Sequence, residues 1–493
     1  MKLHPTVLTI AEIIERNNGR AYLVGGMVHD YLWGILHPSD KRVNDDVDVE
    51  VFGIEDSLLK TILTKFGKVV ESGKDFGVYN LRPYDTNPSY EYQFALSRRE
   101  VPMTSEQRQE WERDHQRELS DHHAFIVTPD PSVSTVEASS RRVTNVKACM
   151  WRITTGELID HWNALQGLQD SLFDVISQTV FPQDPVRVLL CASYMARYSP
   201  MIPTIRLQKA SKGVVDRFPY ITKERVWKEF YKIFKYQYPS RGLRFLDDVG
   251  WIDCFPQISA MKETPQDAEW HPEGDLWEHS LLSADHAAKA VRELYSEDHW
   301  KVPAIVFAGF MHDIGKPITT VHCDDGHIRS LEHNKVGVDV LNLFFDDLHM
   351  KDTKIRTFVG HLVREHMMPM LVPENAKLGR ILTRLYRRIE GSDITLRDLG
   401  VVCESDHSSR PPLPGGMPKR FQEFLEYEES LKNQDDDLPK PFITGKTIMN
   451  IGVPQGPTIG IIKNAALEAQ YSGEFTTEEG ALEWLESYKS EYF

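Results

Sequence analysis

The sequence predicts an α+β chain, with a mixed-sheet amino-terminal part followed by all-helical segments. Three observations carry this prediction. In the stretch NDDVDVEVFG, Val47, Val49 and Val51 alternate with Asp46, Asp48 and Glu50, the period of two that marks a strand with one apolar face. Just upstream, AYLVGGMVHDYLWG reads as an apolar strand that meets paired glycines and continues as a helix. Far downstream, Ile305, Val306, Phe307, Phe310 and Met311 make an apolar, buried helix, and PPLPGGMP is a breaker-rich connection after it.

Composition sets the outer bounds. A chain of 493 residues that is 41% hydrophobic can bury several cores, so three or four domains are expected. The five cysteines lie far apart with no C-x-x-C pair, which argues against a disulfide framework or a structural zinc site and favours a reducing, cytoplasmic setting. The longest apolar run, Val302 to Met311, is too short to cross a bilayer, so a soluble protein with no membrane partner is expected. A net charge of -16 argues against unspecific nucleic-acid binding. Local basic stretches still exist. Residues 201–250 hold 11 Lys and Arg against 5 Asp and Glu, and Lys377, Arg380, Arg384, Arg387 and Arg388 share one helical segment. Each reads either as a footprint for RNA or as a solvated helix face.

In chain order, MKLHPTVLTIAEIIERNNGR has the pattern of a short amphipathic helix. Gly25 and Gly26 follow the first strand and leave room for backbone amides to approach phosphate oxygens at a helix start. The carboxylates of Asp46 and Asp48 share one strand face, an arrangement that can hold two Mg²⁺ ions about 4 Å apart for in-line phosphoryl or nucleotidyl transfer. The plainer alternative is an edge strand with a solvated acidic face. Between Arg98 and His123 the chain is very charged, as expected of a mobile loop or a solvated helix, and NQDDDLPKP reads as an acidic linker.

The strongest chemical signal lies between residues 271 and 410. WEHS supplies His279, MHDIGKP supplies His312 and Asp313, and ESD supplies Asp406, four N and O donors of the kind a divalent cation needs. Neighbours on a helix point about 100° apart, so other helices must close the sphere around His312 and Asp313. The alternative is a core histidine beside a capping Asp. His271, His322, His327 and His361 have no assigned partner and are expected at the surface or behind the donors.

These motifs, with LEHN (His333), VREHM (His366) and Lys316, resemble the HD phosphohydrolase superfamily. That resemblance implies metal-dependent hydrolysis of phosphoesters, with His279, His312, Asp313 and Asp406 as metal ligands and Lys316, His333 and His366 holding phosphate or a second metal. GGMVHD, DVD, FALSRRE, HAFIVTPDPS, TGELIDHW, QDPVRVLLCASYMARY and the later helical motifs resemble the tRNA nucleotidyltransferase and poly(A) polymerase superfamily, in the bacterial CCA-adding form with an HD domain. The likeness implies a nucleotidyltransferase head over 1–165, a helical, RNA-binding neck and body over 166–260, an HD domain over 261–415 and a helical carboxy-terminal segment over 416–493. It further implies Asp46 and Asp48 as catalytic carboxylates on Mg²⁺, His312 and Asp313 as the catalytic pair of the HD site on Mg²⁺ or a divalent transition metal, and Gly25, Gly26, His29, Asp30, Arg141, Arg142, Asp184 and Arg187 as the nucleotide site.

Several positions depart from the family pattern. His29 stands for an arginine beside the triphosphate, Gln93 for a carboxylate that Glu91 could replace, Val143 for an Asp towards the ribose, Lys147 for an Asn and Leu190 for a second arginine. The function that the resemblance implies is CCA addition from CTP and ATP at tRNA 3′ ends, joined to 2′,3′-cyclic phosphodiesterase or phosphatase activity, and these departures bear on the first of the two. Two alternatives stand beside it: an HD phosphohydrolase whose head binds nucleotide or RNA without polymerising, and a noncatalytic tRNA-binding competitor.

Overall fold

The computed structural model describes residues 3–40, 46–72, 77–84, 91–115, 125–372, 377–432, 441–471 and 474–492. The chain forms two compact units, one of Met1–Phe230 with Arg241–Cys254 and one of Tyr231–Ser240 with Phe255–Phe493.

The first unit is built on strands β1 (Arg20–Val24), β2 (Val47–Phe52), β3 (Gly67–Glu71), β4 (Val78–Pro83), β5 (Tyr92–Leu96), β6 (Arg98–Pro102), β7 (Phe125–Pro129), β8 (Met150–Arg152) and β9 (Leu158–Ile159). Seven of them form one mixed sheet in the order β3-β4-β5-β2-β1-β8-β9. The strand with the acidic row is an inner one. β2 pairs antiparallel with β1 and parallel with β5, so the edge-strand alternative does not hold. Val47, Val49 and Val51 are buried as the alternation predicts, and Glu50 on the other face is buried too. The amino-terminal helix Pro5–Arg16 buries Val7, Ile10, Ala11 and Ile14, the i, i+3, i+4, i+7 stripe of an amphipathic helix.

Part of the charged stretch is ordered as strand. Residues 98–102 pair antiparallel with 125–129, the helix Ser105–His115 follows, and 116–124 lie outside the described residues. The acidic linker is 433–441, of which all but Pro441 also lie outside them.

The second unit is helical apart from a small antiparallel hairpin, Thr320–His322 with Ile328–Ser330. At its centre the helix Lys301–Met311 is buried on all sides, as its uninterrupted apolar sequence requires. Its one charged residue is compensated: Lys301 Nζ donates to Asp398 Oδ2 at 2.7 Å and to the Asp393 carbonyl at 2.6 Å. Asp398 also closes the capping box that starts the helix Leu396–Ser408. A separate apolar cluster, including Ile448, Ile462, Phe475 and Leu485, forms the core of the carboxy-terminal helices. Among the described residues, no helix is long and apolar enough to cross a membrane.

Candidate functional site

Two glycines let the helices of the second unit approach closely enough to form a site. A Cβ at Gly309 would stand 2.9 Å from Ala287 Cβ, so the missing side chain lets Lys301–Met311 lie against Leu276–Ala290. A Cβ at Gly315 would stand 2.1 Å from the His333 carbonyl oxygen, which only glycine permits. The first approach brings His279 to His312, and the second brings His333 to Asp313.

The four expected donors converge. His279 Nε2 lies 3.2 Å from His312 Nε2, 3.2 Å from Asp406 Oδ1 and 3.8 Å from Asp313 Oδ2. His312 Nε2 lies 3.2 Å from Asp313 Oδ2 and 3.7 Å from Asp406 Oδ1. The other oxygen, Asp313 Oδ1, faces His333 Nε2 at 3.0 Å and His366 Nε2 at 3.6 Å, and these two nitrogens are 3.3 Å apart. Lys316 Nζ reaches Asp313 Oδ2 at 2.6 Å and Gln266 Oε1 at 2.8 Å. Asp313 thus stands between two groups of imidazoles.

Every one of these rings is held from behind. His312 Nδ1 donates to the Gly309 carbonyl at 2.8 Å, His333 Nδ1 to the Ser330 carbonyl at 2.6 Å and His366 Nδ1 to the Val363 carbonyl at 2.7 Å. His279 Nδ1 donates to Glu273 Oε1 at 2.7 Å. These outer acceptors are carbonyl or carboxylate oxygens, so each Nδ1 carries the proton and each Nε2 presents a lone pair inwards. Lone pairs from four imidazoles and oxygens from two carboxylates facing one another repel unless a cation lies among them, and an outer acceptor behind each ring is the usual support of a metal-ligating histidine. The donor set therefore fits a divalent ion or a pair of them.

Electrostatics agree with the geometry. Burial opposes a charged His312, but Asp313 and Asp406 outweigh it and raise the imidazole to about 10. Burial likewise opposes ionisation of Asp313, yet His312, Lys316 and His333 hold its carboxyl well below the usual range. The site attracts positive charge, of which a proton is the smallest source. A cavity of about 350 Å³ opens beside the donors, lined by Asp313, Lys316, His333, Asp406 and Arg410, with exposed Trp270 and Met370.

Glu273 was not among the expected residues. It accepts from both His279 and His271, the latter at 2.9 Å, so His271 lies behind the donors, half-buried. Burial raises the Glu273 carboxyl, but these two bonds prevail and lower it to about 2. The signal in the sequence was a carboxylate six residues before a ligand-type histidine. His327 pairs with Asp267 at 2.9 Å, and His322 is exposed.

In the first unit, five of the expected residues, Asp48, Arg141, Arg142, Asp184 and Arg187, line one cavity of about 590 Å³. Gly25, at φ 75°, lies so close to Asp48 that a Cβ would be 3.1 Å from Asp48 Oδ2, and Gly26 begins the helix Gly26–Leu36. Asp46 lies just before β2 and is exposed. Burial raises the Asp48 carboxyl, Arg142 opposes that rise and Asp46 adds to it.

The expectation for His29 and Asp30 needs correction. Both are 1% exposed and belong to the core. Asp30 is held by His29 Nδ1 at 3.3 Å, by Arg197 at 2.8 Å and by the Tyr198 hydroxyl. His29 packs on Trp33 and Tyr198, and burial pushes its imidazole down to about 3, so it is a neutral core group. Asp184 and Arg187, expected at the nucleotide site, also have contacts within the protein: Arg225 grips both Asp184 oxygens at 3.0 and 2.6 Å, and Arg187 donates to the Val180 carbonyl. Glu91 pairs with Arg82 at 2.7 Å, and Lys147 lies over the Tyr194 ring.

The basic helix Leu378–Arg388 is also engaged internally. Arg388 donates to both Glu365 oxygens at 2.8 Å, Arg380 to Glu474 at 3.1 Å and Arg387 to the Asn464 carbonyl at 3.1 Å.

Comparison with known proteins places this geometry. Residues 276–401 match the HD domain family, and residues 208–262 match the family described as the probable RNA and SrmB-binding site of polymerase A. The multifunctional CCA protein of Xanthomonas campestris pv. campestris (strain B100) is 28% identical over 403 residues, covering 79% of this chain and 85% of that protein. The protein of the same name from Acinetobacter baumannii (strain AYE) is 28% identical over 431 residues, covering 84% and 91%. This chain is a homologue of the multifunctional CCA proteins. In fold, this CCA-protein homologue resembles the Bacillus stearothermophilus CCA-adding enzyme in complex with CTP, with a TM-score of 0.63 at 14% identity over 99% of both chains. It also resembles the Thermotoga maritima CCA-adding enzyme complexed with tRNA, with a TM-score of 0.59 at 16% identity over 99% of this chain and 96% of that one.

Proposed function

We propose that the second unit hydrolyses phosphoesters, among them 2′,3′-cyclic phosphates, with His279, His312, Asp313 and Asp406 as ligands of a divalent cation. His333 and His366, on the far oxygen of Asp313, would hold a second cation or the substrate phosphate. The observation that carries this reading is the set of four imidazoles whose protons all point outwards to fixed acceptors while their lone pairs meet at Asp313. When bound, the metal lowers the pKa of a water and polarises a phosphoryl oxygen. The chain's own groups supply the rest. Lys316 neutralises one Asp313 oxygen, and Arg410 offers a guanidinium to phosphate at the cavity wall.

The first unit, in this reading, is a nucleotidyltransferase-type head that acts at tRNA 3′ ends with CTP, ATP and Mg²⁺ at Asp46 and Asp48, in a cytoplasmic protein. A second reading has its own support. With His29 buried and Arg141, Arg142 and Asp184 in ion pairs, the head would bind nucleotide or RNA without extending it.

One experiment addresses both units. The purified chain is given nucleoside 2′,3′-cyclic phosphates with Mg²⁺, Mn²⁺ or Ni²⁺ in turn and, separately, labelled CTP and ATP on tRNA lacking its terminal CCA. Hydrolysis that chelation abolishes and a metal restores is expected, and metal-independent hydrolysis would overturn the assignment. Extension of the tRNA favours the transferase reading. Hydrolysis without extension favours the second.

A further inference from the structure

Glu50 is a buried carboxylate to which neither function assigns a role. It lies on β2 two residues beyond Asp48, faces the same cavity and is 6% exposed. Its Oε2 accepts from Arg142 Nη2 at 2.7 Å, and its Oε1 lies 3.4 Å from Arg141 Nη2. The other terminal nitrogen of Arg141 donates to Glu100 Oε1 at 2.8 Å, and Arg98 Nε donates to the same oxygen at 2.9 Å. Three guanidiniums that could face an anion are thus joined by two carboxylates, and the network carries a net charge of +1 where the arginines alone would carry +3.

We infer that Glu50 is an affinity-determining residue of this cleft, an internal anion that competes with the phosphates of a nucleotide for Arg141 and Arg142. The inference rests on reading the cleft as a nucleotide site. Two features favour competition over a positioning role. Arg141 has both terminal nitrogens engaged by carboxylates, and its Nε is buried without an acceptor among the described residues, so little of its donor edge is left for a ligand. Glu50 also cannot swing aside as a loop residue could, because β2 is hydrogen-bonded on both sides, with Glu50 opposite Tyr22 of β1 and Ala95 of β5. A phosphate entering the cleft must share its arginines with a fixed carboxylate, and like charges repel strongly where water is excluded.

The test is isothermal titration of ATP and of CTP, each with Mg²⁺, into the full chain carrying Asp313→Ala, so that the second unit's centre does not contribute. In that background, Glu50→Gln is expected to tighten binding by about tenfold or more. Arg142→Gln should then cost more affinity beside Glu50→Gln than beside Glu50. Unchanged or weaker binding by Glu50→Gln, where the parent binds, overturns the inference and leaves the nucleotide reading standing. No binding by parent or variant overturns both. Should circular dichroism show Glu50→Gln unfolded, Glu100→Gln must tighten binding instead, by at least about threefold, and its failure to do so has the same force.

Discussion

The HD centre and the head cleft use the same vocabulary of buried carboxylates and cationic or ligating side chains, but they are wired in opposite ways. In the HD centre, partners behind the rings fix the Nδ1 protons on the outside, so lone pairs and carboxylate oxygens meet in the middle with Lys316 on one Asp313 oxygen. In the cleft, three acids already have a base: Glu50 has Arg141 and Arg142, Glu100 has Arg98 and Arg141, and Asp184 has Arg225. The first arrangement needs a cation to be stable. The second is nearly balanced by itself, and a ligand must break existing pairs to bind. A list of charged residues does not distinguish a site awaiting its ligand from one satisfied internally; the direction of each donor does.

The largest expected effect breaks the HD centre at its hub. Asp313→Ala removes the one carboxylate that faces both histidine groups, and phosphoester hydrolysis should fall by more than about a thousandfold, given that several kcal/mol of charge stabilisation depend on the metal. Circular dichroism should show the helices retained, because the surrounding core does not depend on Asp313. Turnover within an order of magnitude of the parent would remove the basis of the comparison.

A smaller effect tests the idea that outer acceptors make the centre. Glu273→Gln keeps an oxygen for His279 and His271 but loses the charge, and metal affinity, measured by titration with Mn²⁺, should weaken by about ten- to a hundredfold. Equal affinity would mean that the ring orientation is fixed by packing alone.

The legibility of the chain follows the same division. The α+β architecture and β2 could be read because side-chain alternation is a local signal, and the HD donors because a family motif ties them together. The face of the helix Gly26–Leu36 that carries His29 and Asp30 could not be read. Its burial depends on Arg197 and Tyr198, almost 170 residues away, and no spacing near His29 announces them. The strand at 98–102 was hidden for another reason: it opens with three charged residues, Arg98, Arg99 and Glu100, and Val101 alone sets no hydrophobic period. Glu50 was visible only as one more acid in a row. Its engagement with arginines nearly a hundred positions later is a property of the fold.

The smallest effect concerns that misread helix and sharpens the boundary of the cleft. Among the described residues, His29 makes one polar contact, Nδ1 to Asp30, and its Nε2 is buried with no partner. His29→Gln retains a donor for Asp30 and fits a similar volume, so the cost in urea denaturation should be about 1 kcal/mol, the net value of a single hydrogen bond. A residue on a triphosphate would behave differently, with ATP affinity falling while stability held. Since His29 packs on Trp33 and Tyr198, the stability of the first unit should change and the affinity should not. The reverse pattern would move His29 into the cleft and give the head a contact that the geometry denies it.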